Sequence, residues 1–140
     1  MNKQIADGLE NLQKHRGRLS AAEVLRRYKD DDLPAFAGIE LTNVNQVGLF
    51  GERPLDIAAT RGNLDEIYAL VDAGADINAP GELGNTALHE ATSQGHYEAV
   101  RVLLQLGAQT NIQNEFGQTA LDIASLRQRD KLVVLLTSKR

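Results

Sequence analysis

From residue 51 onward, apolar and small residues return at a fixed interval of 33 positions. Leu55, Leu88 and Leu121 align, as do Ala58, Ala91 and Ala124, and Leu70, Leu103 and Leu136. Gly51, Gly84 and Gly117 open the three stretches GERPLDIAATRGNLDEIYALVDAGADIN, GNTALHEATSQGHYEAVRVLLQLGAQTN and GQTALDIASLRQRDKLVVLLTSKR. Self-similarity at such a period predicts stacked supersecondary units, each burying its apolar face on the next. Within each stretch a short helix is expected to begin at Pro54, Thr86 or Thr119, with alanines on its inner face so that the next layer can come close. Gly62 and Gly95 break the chain in a left-handed turn. Gln128 stands there in the third stretch, so that turn is expected to be built differently or more loosely. A second helix follows, carrying Leu64, Ile67, Leu70 and Val71 at helical spacing, and Gly74 and Gly107 stop it. The connecting segments NQVGLFG, NAPGELG and NIQNEFG place Gly48, Gly81 and Asn114 at equivalent tips, where a tight turn is expected to use positive φ.

Upstream the period fades. Ile5, Leu9 and Leu12 form a narrow helical stripe, which Gly17 is expected to end, so residues 1–19 read as a leader helix at a terminus prone to fray. Ser20 and Glu23 have the spacing of a capping box, predicting a helix from Ala21 to about Tyr28. Pro34 suits the first turn of a further short helix. Subtracting 33 from Leu55–Ala59 gives Ala22–Arg26, and from Ile77-Asn78 gives Val44-Asn45. Residues 20–45 therefore read as a degenerate capping repeat, followed by units at 46–78, 79–111 and 112–140; terminal repeats are expected to be atypical.

These residues resemble the ankyrin repeat, whose T-P-L-H-x-A signature has the same period. It appears here as RPLDIA (53–58), TALHEA (86–91) and TALDIA (119–124), and the G-A-D-x-N ending as GADIN (74–78) and GAQTN (107–111). The resemblance implies an all-α repeat solenoid in which helix–turn–helix units form the body of an L-shaped stack and β-turn fingers project from it. Only the middle copy keeps the signature His, as His89. Asp56 and Asp122 replace it and are expected to serve as structural acceptors near the helix start. Arg53 replaces the signature Thr and is expected to leave an exposed charge near the finger. Asp130 and Thr137 stand where the pattern has Leu, and Arg140 where it has Gly, so the third unit reads as a carboxy-terminal cap of a complete short stack.

Charge adds a direction. The net charge of −4 is uneven: residues 1–30 carry seven Lys or Arg against four Asp or Glu, residues 31–78 carry two against nine, and residues 79–140 carry six of each. No basic stripe is present to release counterions from nucleic acid, so nucleic acid is disfavoured and a basic protein partner suits the acidic middle. The chain has no Cys, no apolar run of 18 residues and no apolar secretion signal at its start, so no membrane span is read and the expectation is a cytoplasmic monomer. Candidate chemistry is sparse. His89-Glu90 begins an H-E-x-x-H motif, but position 93 is Ser, and Gly95 separates the pair from His96, so a metal-dependent enzyme using His89, Glu90 and His96 is the disfavoured alternative. Ser93 and Ser125 have no base or orienting partner near them in sequence. No catalytic residue, cofactor or metal is assigned.

What remains is a recognition surface. Ankyrin-type stacks usually meet a partner with the finger tips and the exposed side of each first helix. Carried over by position, the finger candidates are Leu49, Phe50, Glu52 and Arg53; Glu82, Leu83 and Asn85; Glu115, Phe116 and Gln118. Those on the helices are Arg61, Gln94, Leu126 and Arg127, with Thr60 and Ser93 beside them. The periodic row Phe50, Leu83 and Phe116 is expected to pack between fingers more than to bind, because structure repeats and an epitope need not. Tyr68 and Val134 take positions usually polar in the second helix and are expected to be partly buried. The resemblance implies a non-catalytic module that binds another protein through its concave groove, as an inhibitor or as an immunity protein neutralising a bacterial toxin.

Overall fold

The computed structural model describes residues 6–10, 14 and 18–138. The described part of the leader is helical over 6–10 and at 14, and its Gly8 is buried against the backbone of Gln105, where a Cβ would strike the carbonyl. Leu9 is 49 % exposed, while Ile5, Leu12, Gly17 and Arg140 lie outside the described residues. Seven helices follow: α1 (Ala21–Asp30), α2 (Pro54–Arg61), α3 (Leu64–Asp72), α4 (Ala87–Gln94), α5 (Tyr97–Gln105), α6 (Ala120–Leu126) and α7 (Asp130–Thr137). No strand is formed among the described residues.

The helices make two layers. α2, α4 and α6 stack on one another, α1, α3, α5 and α7 stack behind them, and each pair α2–α3, α4–α5 and α6–α7 is joined through a tight turn. The inner layer is thin because its contact positions are alanines: Ala58, Ala59, Ala87, Ala91, Ala120 and Ala124 are all buried. The outer layer supplies bulk through Ile67, Leu70, Val100, Leu103, Leu132 and Leu136. Burying aliphatic side chains between layers is worth about 1.5–3 kcal/mol each, and one continuous cluster carries this through every layer.

Helix starts are fixed by side chains. The Ser20–Glu23 capping box forms at the head of α1. Thr86 and Thr119 cap α4 and α6 by accepting from the amides of His89 and Asp122. At α2 the residue before the helix is Arg53, which has no side-chain acceptor to offer. Pro54 compensates, since its missing N–H is one fewer amide to satisfy. Helix ends use left-handed residues: Gly62 (φ 67°), Gly95 (φ 78°), Gly74 (φ 97°) and Gly107 (φ 105°). Gln128 differs from expectation by keeping the same turn. It adopts φ 56°, and Arg129 N donates to Ala124 O at 2.8 Å, as Asn63 N does to Ala58 O and His96 N to Ala91 O.

Two further expectations are corrected. Positive φ falls not at the tips Gly48, Gly81 and Asn114 but at Gly51, Gly84 and Gly117, with Leu83 at φ 57°. Each finger closes with one backbone bond across its base, Gly48 N to Glu52 O, Gly81 N to Asn85 O and Asn114 N to Gln118 O, and the left-handed glycine completes the return by donating back to the tip carbonyl. Gly48 and Gly81 serve space instead, since a Cβ would meet Glu52 and the Ala35 carbonyl at one and the Asp56 carboxylate at the other. The second correction concerns α1. The 33-residue register makes it the counterpart of α2, yet it packs chiefly on α3. The segment after it forms only a single 3-10 turn, Pro34–Phe36, so no second helix is present to cover α3. Register is regained by Asn45, which accepts from Asp76 N at 2.8 Å as Asn78 accepts from Gln109 N at 2.9 Å.

Candidate partner-binding groove

The fingers and the inner helices line one face of the stack, and polar braces hold them in place. His89 is the clearest brace. Its Nδ1 accepts from Thr86 N at 3.0 Å and its Nε2 donates to Gln118 O at 2.9 Å, so the ring is neutral with its proton on Nε2. Burial holds its pKa below the ordinary value. Asp56 and Asp122 perform the first half of that role, accepting from Arg53 N and Thr119 N. His96 Nε2 donates to Thr60 O at 2.9 Å, and Arg129 makes the equivalent link to Ser93 O at 3.1 Å. Both His89 nitrogens are thus engaged, and the nearest roles of His89 and His96 are structural. Among the described residues no three His, Asp or Glu are placed to hold a metal ion.

Two depressions open on this face. The larger, about 360 Å³, lies between the second and third fingers and brings together Asn85, Ser93, Phe116, Gln118, Leu126 and Arg127, with His89, Asn114 and Ile123 as its floor. Asn114 sets its back wall: its amide nitrogen reaches Asn85 Oδ1 at 2.9 Å and Gln118 Oε1 at 3.2 Å, and its oxygen accepts from the amides of Phe116 and Gln118. The smaller, about 200 Å³, lies between the first and second fingers and is lined by Glu52, Glu82, Asp56, Glu90 and Thr60 with Ala35 and Ile57. Glu52 and Asp56 are 7 % and 6 % exposed. Burial, opposed by the Arg53 amide bond and reinforced by the charge of Glu90, pushes the Asp56 carboxyl up to about 7. Burial likewise raises Glu90, against hydrogen bonds from Thr60 and Asn85.

The individual candidates fall into three groups. Leu49, Phe50, Leu83, Phe116 and Leu126 stand 55, 60, 47, 68 and 69 % exposed, so the apolar row projects outward and does not pack between fingers as expected. Glu82, Gln94, Glu115 and Arg127 are exposed polar residues on the same face. Glu52, Arg53, Arg61, Asn85 and Gln118 are engaged within the fold. Arg53 is half-buried, not exposed, and donates to Asn45 O at 3.2 Å. Arg61 pairs with Asp31 at 2.7 Å, lies 3.7 Å from Glu66 and stacks 4.9 Å above the Tyr28 ring. Tyr28 in turn donates to the buried Glu66 at 2.6 Å, and burial pushes its phenol far above the ordinary range. On the outer layer Tyr68 is buried, whereas Val134 is 66 % exposed, contrary to expectation.

Sequence reasoning missed Asp56 and Glu90 as walls of the acidic depression. Asp56 reads as a replaced signature His, and Glu90 reads only as part of a broken zinc motif. The net negative block over residues 31–78 pointed to Glu52 and Asp56 only, because Glu82 and Glu90 lie outside it.

No curated protein matches the chain. The family model for ankyrin repeats in three copies matches residues 16–114 and 55–140. Ankyrin repeats are generally protein–protein interaction modules and typically non-enzymatic. No helix among the described residues is long and apolar enough to cross a membrane. With in-register signatures, left-handed turn residues and braces recurring at the same positions, the chain belongs to the ankyrin-repeat family.

Proposed function

We propose that this protein is a non-catalytic binding module that takes a segment of another protein into the groove formed by its fingers and inner helices. The observation that carries this is the apolar row Leu49, Phe50, Leu83, Phe116 and Leu126, all about half exposed or more on one braced face. Large apolar side chains held out from a rigid scaffold are the anchors from which interfaces gain most of their energy. A preformed groove also loses little conformational freedom on binding. Such a module acts by occupancy, covering the partner surface that it holds, as a stand-alone inhibitor does.

The test is differential capture from the native source with wild type and a Phe50→Ser/Phe116→Ser double variant. Both side chains are exposed, so helical circular dichroism and thermal midpoint are expected to be unchanged while partner recovery falls at least tenfold. Equal recovery by the variant would move the site off this face.

A second reading, self-association, draws on a patch of the outer layer where Tyr97 and Val134 are 39 % and 66 % exposed beside Glu98 and Lys131. Sedimentation at rising concentration is expected to give a monomer. Growth in mass that Val134→Ser abolishes would establish pairing instead.

A further inference from the structure

We infer that the groove receives a lysine or arginine side chain of the partner in the cavity between the first and second fingers, with Phe50 and Leu83 holding apolar residues beside it. This rests on the groove being the binding face and specifies what it binds. The cavity of about 200 Å³ combines an apolar wall, Ala35 and Ile57, with four carboxylates, Glu52, Asp56, Glu82 and Glu90. That is the chemistry of a long cationic side chain, whose methylene stem seeks apolar surface while its charged end seeks acceptors.

The two most buried carboxylates of the cavity each keep one oxygen free of hydrogen bonds. Glu52 and Asp56 are more than nine-tenths buried, and each uses only one oxygen: Glu52 Oε1 accepts from Phe50 N at 3.1 Å and Asp56 Oδ2 from Arg53 N at 2.8 Å. Glu52 Oε2 and Asp56 Oδ1 take no hydrogen bond among the described residues. Glu90 takes hydrogen bonds from the neutral Asn85 amide and Thr60 hydroxyl, and that hydroxyl is shared with the Asp56 carbonyl at 2.8 Å. No basic side chain lines the cavity. The Arg53 guanidinium donates to the Asn45 carbonyl while its charge also acts on Asp56, and Arg61 is committed to Asp31 and Glu66. The buried Glu52 and Asp56, with the half-buried Glu90 and the exposed Glu82 beside them, repel one another across a small space, a cost that an incoming cation relieves. Burial is the main cause that raises the pKa values of Asp56 and Glu90; neighbouring carboxylates add to it, and at Asp56 the Arg53 charge opposes it. A free amine would match the charge alone. A protein segment also matches the apolar row on either side and the second depression one finger along, so the occupant is a basic side chain within a chain.

A random twelve-residue peptide library displayed on phage and selected on the immobilised full chain tests this. The expected winners carry Lys or Arg next to large apolar residues. For the best of them, the Kd is expected to weaken at least tenfold on Glu82→Gln/Glu90→Gln and on replacing the basic residue by norleucine, and to weaken in the same direction on lowering the pH from 8 to 6. Glu82 is exposed, so Glu82→Gln alone is a fold-neutral control and is expected to weaken binding in the same direction. Winners without basic residues, or basic winners indifferent to these carboxylates, would overturn the inference while leaving the groove in place, provided that Phe50→Ser abolishes their binding. Binding indifferent to both sets of substitutions, or no selected peptide at all, would count against the groove reading itself.

Discussion

Positions 56, 89 and 122 do one job with two chemistries. Each accepts the amide three residues before it and so fixes the start of an inner helix. The imidazole of His89 also donates across to the next finger, which an ionised Asp cannot do. The two chemistries respond to pH with opposite sign. Asp56 titrates near 7 when folded, against an ordinary value of 3.8, so the unfolded chain holds fewer protons between those limits. Its contribution to stability is therefore full at acid pH and is lost as pH rises through about 7. The folded pKa of His89 is depressed, so its contribution is present above 6.5 and is lost as pH falls. Asp56→Asn keeps the acceptor for Arg53 N and removes the charge facing Glu52, Glu82 and Glu90. The variant is expected to be more stable than wild type at pH 8, by on the order of a few kcal/mol, and the gap should close towards pH 5. Urea unfolding across that range measures both. A neutral residue on the same layer makes a simpler case. Thr92 is fully buried and its hydroxyl has no partner. Thr92→Val keeps the shape without the stranded hydroxyl and should raise stability by about 1 kcal/mol in the same assay.

Among the elements, the turns between paired helices show how far a sequence can be read. Gly62, Gly95, Gly74 and Gly107 announced left-handed caps and provide them, because a residue without a Cβ is the natural occupant of that region. Gln128 hid the third copy of the turn. Two backbone bonds close it, Gln128 N to Ser125 O and Arg129 N to Ala124 O, and they outweigh the strain of a side chain at φ 56°. Gln128→Gly is expected to stabilise by about 0.5–1 kcal/mol, read as a raised denaturation midpoint, and a loss would mean that the side chain contributes more than the strain removes. The fingers were legible as recurring turns, but not which glycine carries positive φ. That depends on where neighbouring carboxylates and carbonyls fall, and those come from other units. α1 was legible as a capped helix and not as an outer-layer helix, since its placement depends on the segment after it forming one 3-10 turn. For the candidate site, exposed positions such as Leu126 could be read from their place in the repeat. The acidic cavity could not, because Glu52, Asp56, Glu82 and Glu90 meet only when two fingers and two helices are stacked.

At the scale of the molecule, the helices contact chiefly their neighbours, with Gly8 of the leader reaching Gln105, so stability should distribute largely as local terms. Leu136 is buried in the last outer helix. Leu136→Ala is expected to cost about 2–3 kcal/mol and to strip hydrogen-exchange protection from α6 and α7 before α2 to α5. The depression bearing Phe116 and Leu126 would loosen, and the acidic cavity between the first two fingers would persist. Uniform loss of protection would show instead that the stack unfolds as one unit.

The braces across successive layers come in two rows. At the finger bases Asn45 and Asn78 reach forward to the next unit, and at the helix turns His96 and Arg129 reach back to the one before. A ladder pinned along both rails resists shear and torsion far better than one pinned along a single rail. Pulled from its ends, such a body would not stretch like a spring. It would hold its length and then yield one rung at a time, and until the first rung parted the spacing between its binding depressions would stay that of a rigid gauge.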